Sequence, residues 1–374
     1  MTVWDVPGQE HAVAVLQRAA ERDEVAHAWA FIGPAGVGQE TATRWLAAAL
    51  NCGAFTPPCG ACDICRRCLS GAYPALFEFA PVGAAYLKTE DVQERWLYAA
   101  SRSLTEGRCK VLRITAADRM NEQAANTFLK GLEEPPPATV WVLEITDPDE
   151  LPDTILSRCR VVRFSGWSDA VLAGEAQKWG LSDPAERELA VRAAGGSPET
   201  LARLAGENGL DDLRAHRAWP GLLREGGPGM ALLARRALDD EIKRASAALK
   251  LRHQEELAYV TEIHGGELPA KLSKELSKRH ERELRESGVR TVQAALDDLA
   301  GWLRDCVVVV QGGEPIVHRD AADSVGGDAA ALGATRLLQA LDLVMSTREA
   351  MELNVQAGLT LEGMFLELST LTFA

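Results

Sequence analysis

Residues 31–41 read Phe-Ile-Gly-Pro-Ala-Gly-Val-Gly-Gln-Glu-Thr, lying between an apolar run and a helical pattern. Gly33, Gly36 and Gly38 stand at the spacing of a phosphate-binding loop, G-x-x-x-x-G-K-[ST]. Where that motif carries its Lys and its Mg²⁺-holding hydroxyl, this chain has Gln39 and Glu40. Gln39 donates without charge, so a charge-assisted contact worth roughly 1.5–3 kcal/mol is missing. Glu40 opposes the ligand: a carboxylate about 4 Å from a phosphate charge costs roughly 4 kcal/mol at an effective dielectric near 20. Thr41 comes one position late for the metal. The loop keeps the signature of a nucleotide-binding fold and loses its chemistry, and no productive ATP/Mg²⁺ binding is expected.

Outward from the loop, His27 to Ile32 reads as a buried strand and Gln39 to Leu50 as a helix. Residues 9–22 give an amphipathic helix before them. Further strands are expected at Leu76–Ala80, 109–115, Thr139–Ile145 and Arg160–Phe164. Helices are expected from Thr89 to about Leu104, from Asn121 up to Pro135-Pro136-Pro137, and at 149–157. Strands alternating with helices imply a parallel sheet covered on both faces. A hydrolase of this type needs acidic residues at the end of the third strand. Here Val111-Leu112-Arg113-Ile114 runs into Thr115-Ala116-Ala117-Asp118, and Asp118 lies too late, as a loop or cap residue would. Beyond Ser165 strand signals nearly vanish. Three short helical stretches occupy 168–206, broken at Gly180, Asp183-Pro184 and Gly195-Gly196. A mostly helical remainder follows, with a charged middle (Lys271–Arg290), a Gly/Asp-rich loop around 311–333 and an apolar stripe, Leu337, Leu338, Leu341, Val344 and Met345.

The chain has 374 residues, enough for two or three domains, and a net charge of −14, which sets no field to draw it onto nucleic acid. No apolar run reaches membrane-spanning length, and the N-terminal Met-Thr-Val-Trp-Asp carries no leader-like pattern, so a cytoplasmic protein is expected. Five of the eight cysteines fall within 52–68, which in a reducing compartment argues for metal over disulfides. Cys59-Gly-Ala-Cys62-Asp-Ile-Cys65-Arg-Arg-Cys68 has three two-residue gaps, with Cys52 ahead of it. Such spacing suits tetrahedral Zn²⁺, with 52/59/62/65 and 59/62/65/68 both open as quartets. An iron–sulfur cluster is the rival metal, although the closing x₃-C-P is absent. Cys109 and Cys306 sit in apolar runs and are expected in the core.

Residues 154–160 read Thr-Ile-Leu-Ser-Arg-Cys-Arg. Together with Trp4-Asp5-Val6-Pro7-Gly8-Gln9, His27-Ala28-Trp29, the cysteine insertion and Asn126-Thr127-Phe128-Leu129-Lys130-Gly131-Leu132-Glu133-Glu134-Pro135-Pro136, they resemble the AAA+ clamp-loader family of bacterial DNA polymerase III. The resemblance is dense over 1–210 and essentially topological beyond. It implies an α/β AAA+ P-loop-type domain (1–165, zinc insertion at about 51–70), a three-helix lid (166–208) and an all-α collar (209–374). By the same resemblance Cys52, Cys59, Cys62 and Cys65 are the structural zinc ligands and Cys68 is an extra thiol. Positions 39, 40, 115 and 116 depart from the family's ATP-splitting members. Pro198-Glu199 stands where those members have an Arg that touches nucleotide. Arg158 matches an arginine finger placed in a neighbour's ATP site. The implied setting is a pentamer with gamma/tau motor subunits and a delta subunit, loading the sliding clamp onto primer–template DNA, with no membrane partner. Two other classes stay in view: a divergent gamma/tau-like ATPase, and a metal-dependent redox or thiol protein.

Overall fold

The computed structural model describes residues 4–22, 24–81, 87–226, 228–263, 266–352 and 357–373. Met1, Thr2 and Val3 of the leader reading lie outside them. The chain divides into two compact units, one made of 1–175 with 194–199, the other of 176–193 with 200–374.

In the first unit, α1 (Glu10–Glu21) precedes β1 (Ala28–Ile32), and the glycine loop delivers the chain into α2 (Gln39–Asn51). The cysteine insertion carries α3 (Asp63–Leu69), followed by β2 (Leu76–Phe79). A π-helical stretch, Asp91–Leu97, runs into α4 (Tyr98–Ser101), so this helix stops short of Leu104. Then come β3 (Lys110–Ile114), α5 (Glu122–Glu133), β4 (Thr139–Ile145), α6 (Asp153–Leu156) and β5 (Arg160–Arg163). All five strands are parallel, in the order β2-β3-β4-β1-β5. Every residue of the interior strand β1 is buried, as a strand covered on both faces requires. One face packs Trp29, Phe31, Val111, Val142 and Phe164 against α1, α2 and the cysteine insertion. The other packs Trp141, Leu112 and Leu143 against Trp96 and Phe128, with Phe128 edge-on to both indoles. Asn121 caps α5, its side chain accepting from Ala124 N–H at 2.8 Å.

The short helices α7 (Asp169–Lys178), α8 (Pro184–Ala194) and α9 (Pro198–Leu204) lie where the glycine and proline breaks indicate. Pro184 and Pro198 open their helices, a position where a missing N–H costs nothing. The second unit is otherwise α10 (Gly209–Gly226), α11 (Pro228–Ile263), α12 (Ala270–Val310), α13 (Ala322–Glu352) and α14 (Ala357–Phe373) around a core including Trp219, Leu303 and Phe365. The loop expected over 311–333 is shorter than its composition suggested. Residues 322–332 are helical, with Val325 and Ala329 buried, and the chain breaks from helical geometry only at Gly333. Burial of those small apolar residues overrides the low helix propensity of Gly326 and Gly327. Within the late apolar stripe, Leu337 and Val344 are buried while Leu338 and Met345 are exposed. Cys306 is fully buried; Cys109, expected there too, is only half-buried, at the entry to β3. No helix among the described residues is long and apolar enough to cross a membrane.

Candidate functional site

Helix α2 has a candidate site at each end. At its N-terminus the glycines have steric work independent of any ligand. A Cβ on Gly33 would stand 2.2 Å from the Phe164 carbonyl oxygen, and Gly38 has φ +127°, with Val6 2.8 Å from where its Cβ would lie. Gln9 fastens this loop to the chain beyond β5: its Nε2 donates to the carbonyls of Val37 (3.1 Å) and Ser165 (2.7 Å), while its Oε1 accepts from Ser165 N–H. Trp167 Nε1 donates to the Val37 carbonyl at 3.0 Å.

Gln39 is 3% exposed and turns inward, its Nε2 donating to the Pro34 carbonyl at 2.6 Å. Glu40 is held by two guanidinium groups, Arg44 at 2.6 Å and Arg113 at 3.3 Å. Arg113 also forks onto Glu144 (2.6 and 3.1 Å) and reaches Glu78 at 3.5 Å, while Arg44 meets Glu78 at 3.1 Å. Strand register makes this possible. Glu78 and Arg113 are partners across β2 and β3, Arg113 pairs with Val142, and Glu144 stands two residues further along the same face of β4. Burial pushes the Glu144 carboxyl above its ordinary value despite the Arg113 fork. Burial pulls Arg113 down, but Glu144, Glu40 and Glu78 leave its guanidinium raised overall. Glu199, which opens α9 with Pro198, adds a carboxylate oxygen 3.9 Å from where a Cβ on Gly36 would stand. The loop therefore has one carboxylate, Glu199, beside Gly36, while Glu40 is taken up by Arg44 and Arg113.

At the third strand's end, Thr115 Oγ1 donates to the Phe79 carbonyl and Ala116 is left-handed (φ 50°). Asp118 Oδ2 accepts the N–H groups of Thr146 and Asp147, each at 2.8 Å, and so ties the turn after β3 to the end of β4. It is a cap.

At the other end of α2, Cys52, Cys59, Cys62 and Cys65 bring their Sγ atoms within 4.8 Å of one another. The Sγ–Sγ distances from Cys52 are 3.7 Å to Cys59 and 3.9 Å to Cys62, and Cys59 lies 3.9 Å from Cys65. A tetrahedron with metal–sulfur bonds of about 2.3 Å has edges of about 3.8 Å, so the four sulfurs fit one zinc ion. Sulfurs this close leave no room for a cluster carrying its own sulfides. Backbone N–H groups of Ala54, Cys62 and Cys65 point at the sulfurs of Cys52, Cys59 and Cys62, at 3.4–3.5 Å. Backbone N–H groups of Ala61 and Cys62 draw the Cys59 thiol down to about 6, whereas burial drives Cys65 up. Cys68 lies one turn further along α3, fully buried in the sheet-side core, and burial pushes its thiol up to about 12. Its sulfur is not among the four that lie within 4.8 Å of one another.

Arg158 stands in the turn between α6 and β5, 39% exposed. Its Nη1 donates to the Thr154 carbonyl at 3.0 Å and its Nη2 to Glu133 Oε1, at the end of α5, at 2.7 Å. The Ser-Arg-Cys and Leu-Glu-Glu-Pro-Pro motifs thus meet in space. Glu78, Arg113 and Glu144 were not singled out from the sequence. The available signal was a charged residue inside each of three apolar strands.

A parallel sheet in the order β2-β3-β4-β1-β5, with a glycine loop feeding a helix from the interior strand β1, defines an AAA+-type P-loop fold. Residues 8–168 match the family described as DNA polymerase III, delta subunit. The tau subunit of Escherichia coli DNA polymerase III is 38% identical over 161 residues, 42% of this chain and 24% of that protein. The tau/gamma subunit of Haemophilus influenzae is 32% identical over 209 residues, 54% of this chain and 30% of that protein. A crystal structure of a gamma-subunit-related protein from Thermotoga maritima aligns over 96% of this chain and 99% of its own, at 16% identity and a TM-score of 0.49. Over residues 8–168 the chain is thus similar to the family described as DNA polymerase III, delta subunit, and to tau and gamma subunits. It spans about a quarter to a third of the length of these curated relatives.

Proposed function

We propose that the chain is the delta-prime subunit of a bacterial DNA polymerase III clamp loader, a cytoplasmic, non-hydrolysing member of that assembly. Its place is beside gamma/tau motor subunits and a delta subunit, where it helps load the sliding clamp onto primer–template DNA. The observation that carries this reading is the state of the loop. Glu40, in the metal-hydroxyl position, is neutralised in cis by Arg44 and Arg113, and Gln39, in the cation position, is buried against Pro34. A phosphate approaching the loop would meet the Glu199 carboxylate beside Gly36 and find no lysine at position 39. Arg158 supports the second half of the reading: a half-exposed guanidinium at the tip of a turn, suited to act as an arginine finger on a neighbour's ATP. Such a finger stabilises charge developing on the transferred phosphoryl group and is worth 10³–10⁵ in rate at its site. Cys52, Cys59, Cys62 and Cys65 hold one structural zinc, which fastens the insertion. The division into nucleotide-fold domain (1–165), lid (166–208) and collar (209–374) belongs to the same proposal, the collar being the assembling part.

A second reading, a gamma/tau-like motor with a divergent loop, draws on the sequence likeness to tau and gamma. The isolated chain separates the two. Under the delta-prime reading it shows no ATP turnover, and Arg158→Ala leaves the complex assembled while slowing its clamp-stimulated ATPase. Hydrolysis by the chain alone would favour the motor, and unchanged turnover in the variant complex would remove the finger.

A further inference from the structure

We propose that Glu133 is a positioning residue for Arg158, fixing the guanidinium for its action on the neighbouring subunit; this rests on the finger reading above. Glu133 is the last residue of α5, immediately ahead of Glu134 and three consecutive prolines, so the rigid end of a helix presents its carboxylate. Arg158 is gripped at two points from two different elements: the Thr154 carbonyl of α6 (3.0 Å) and Glu133 Oε1 of α5 (2.7 Å). One contact alone would leave the guanidinium free to rotate about it. Two contacts, one on each terminal nitrogen, define the plane of the group. A guanidinium has five N–H donors, and these contacts use two of them. Three remain for phosphoryl oxygens, so Arg158 need not release Glu133 to act. Orientation established before the ligand arrives lowers the entropy lost on reaching the productive geometry. The pair is exposed enough, 39% and 51%, that it is not a core element whose loss would unfold the domain.

The test is steady-state ATPase of the complex reconstituted with its native motor partners, carrying wild-type chain, Glu133→Ala, Glu133→Gln, Arg158→Ala or the double alanine variant. Glu133→Ala is expected to lower kcat about two- to fivefold, the scale of an exposed ion pair, with KM for ATP unchanged. Glu133→Gln, which keeps an accepting oxygen, restores most of that loss. In the Arg158→Ala background the Glu133→Ala change has no further effect. Normal turnover with Arg158→Ala would overturn the finger and this inference together. A slow Arg158→Ala complex beside a normal Glu133→Ala complex would overturn the role of Glu133 alone. So would a Glu133→Ala loss that persists without Arg158, or a Glu133→Gln variant as impaired as the alanine.

Discussion

Helix α2 begins at a loop whose ligand-handling side chains point at their own chain, and it ends at four sulfurs that point at a common centre. Both ends carry a recognisable motif. At the cysteine end, residue types, spacing and three-dimensional edges of 3.7–3.9 Å agree with one coordination polyhedron. At the glycine end, only the backbone features persist, and Gly33 and Gly38 are explained by packing against Phe164 and Val6. Glycine spacing therefore reports on the fold, whereas the two residues after it report on the chemistry. The sharpest ways to break this contrast are measurements that ask each end what it depends on.

The largest effect is expected at the cysteine end. Anything that binds the folded state alone stabilises it by RT ln(1 + [L]/Kd), about 4 kcal/mol at a thousandfold excess over Kd. Chelation, or Cys59→Ser, should therefore remove one zinc per chain by elemental analysis and lower the melting temperature by several degrees. Cys68→Ser should leave zinc content unchanged. Retained zinc in Cys59→Ser, or lost zinc in Cys68→Ser, would reassign the quartet. A visible absorption spectrum with iron present would replace the metal altogether.

Next in size is Arg113. Its fork holds Glu144, and both side chains are less than 15% exposed. Removing one partner of such a pair strands the other charge, a cost of about 3 kcal/mol or more. Arg113→Ala should show this in denaturant unfolding, and Arg113→Ala combined with Glu144→Leu should recover much of it. A near-neutral single variant would show that the loop's ionic network is decorative rather than structural.

This network also marks where the sequence stopped being legible. The five strands were readable because each is a short apolar run between turn signals, and Gly33, Gly36 and Gly38 placed the loop. Arg113 could be seen in its strand, but Glu78 and Glu144 are 35 and 31 residues away, and only strand register brings them to the same face. The quartet was half legible: equal two-residue gaps cannot separate Cys52 from Cys68, whereas the helical turn from Cys65 to Cys68 does. The 322–332 helix was misread because Gly326 and Gly327 speak for a loop until Val325 and Ala329 are seen buried.

A buried network in the second unit sharpens the comparison, because it contains a histidine held charged near neutral pH. His216 on α10 bonds Asp298 (2.9 Å) and Glu241 (3.0 Å), with Arg203 also on Asp298. Burial lowers His216, but the two carboxylates override it and hold it at about 8, above its ordinary 6.5. A raised folded value means the charged form is favoured by folding. The stabilisation is fully present below about pH 6.5 and is lost as pH rises through about 8. The difference corresponds to about 2 kcal/mol. Melting temperature should fall between pH 6.5 and 8.5, and His216→Gln should flatten that slope. An unchanged slope in the variant would place the titration elsewhere.

The smallest change in stability is expected at Glu40, and it bears most directly on the loop. Its carboxylate is 45% exposed, so Glu40→Thr should shift unfolding by less than about 1 kcal/mol. The substitution returns a hydroxyl to the metal position and takes one carboxylate from Arg44 and Arg113, but Gln39 remains neutral and positions 115 and 116 remain without carboxylates. Equilibrium titration with Mg·ATP should detect no tight binding by Glu40→Thr alone. Adding Gln39→Lys supplies a contact worth roughly 1.5–3 kcal/mol, so the double variant should bind at least about tenfold better while still failing to hydrolyse. Tight binding by the single variant would mean that one side chain, and not a dismantled site, separates this loop from a working one. The contrast between the two ends of α2 would then shrink to a single substitution.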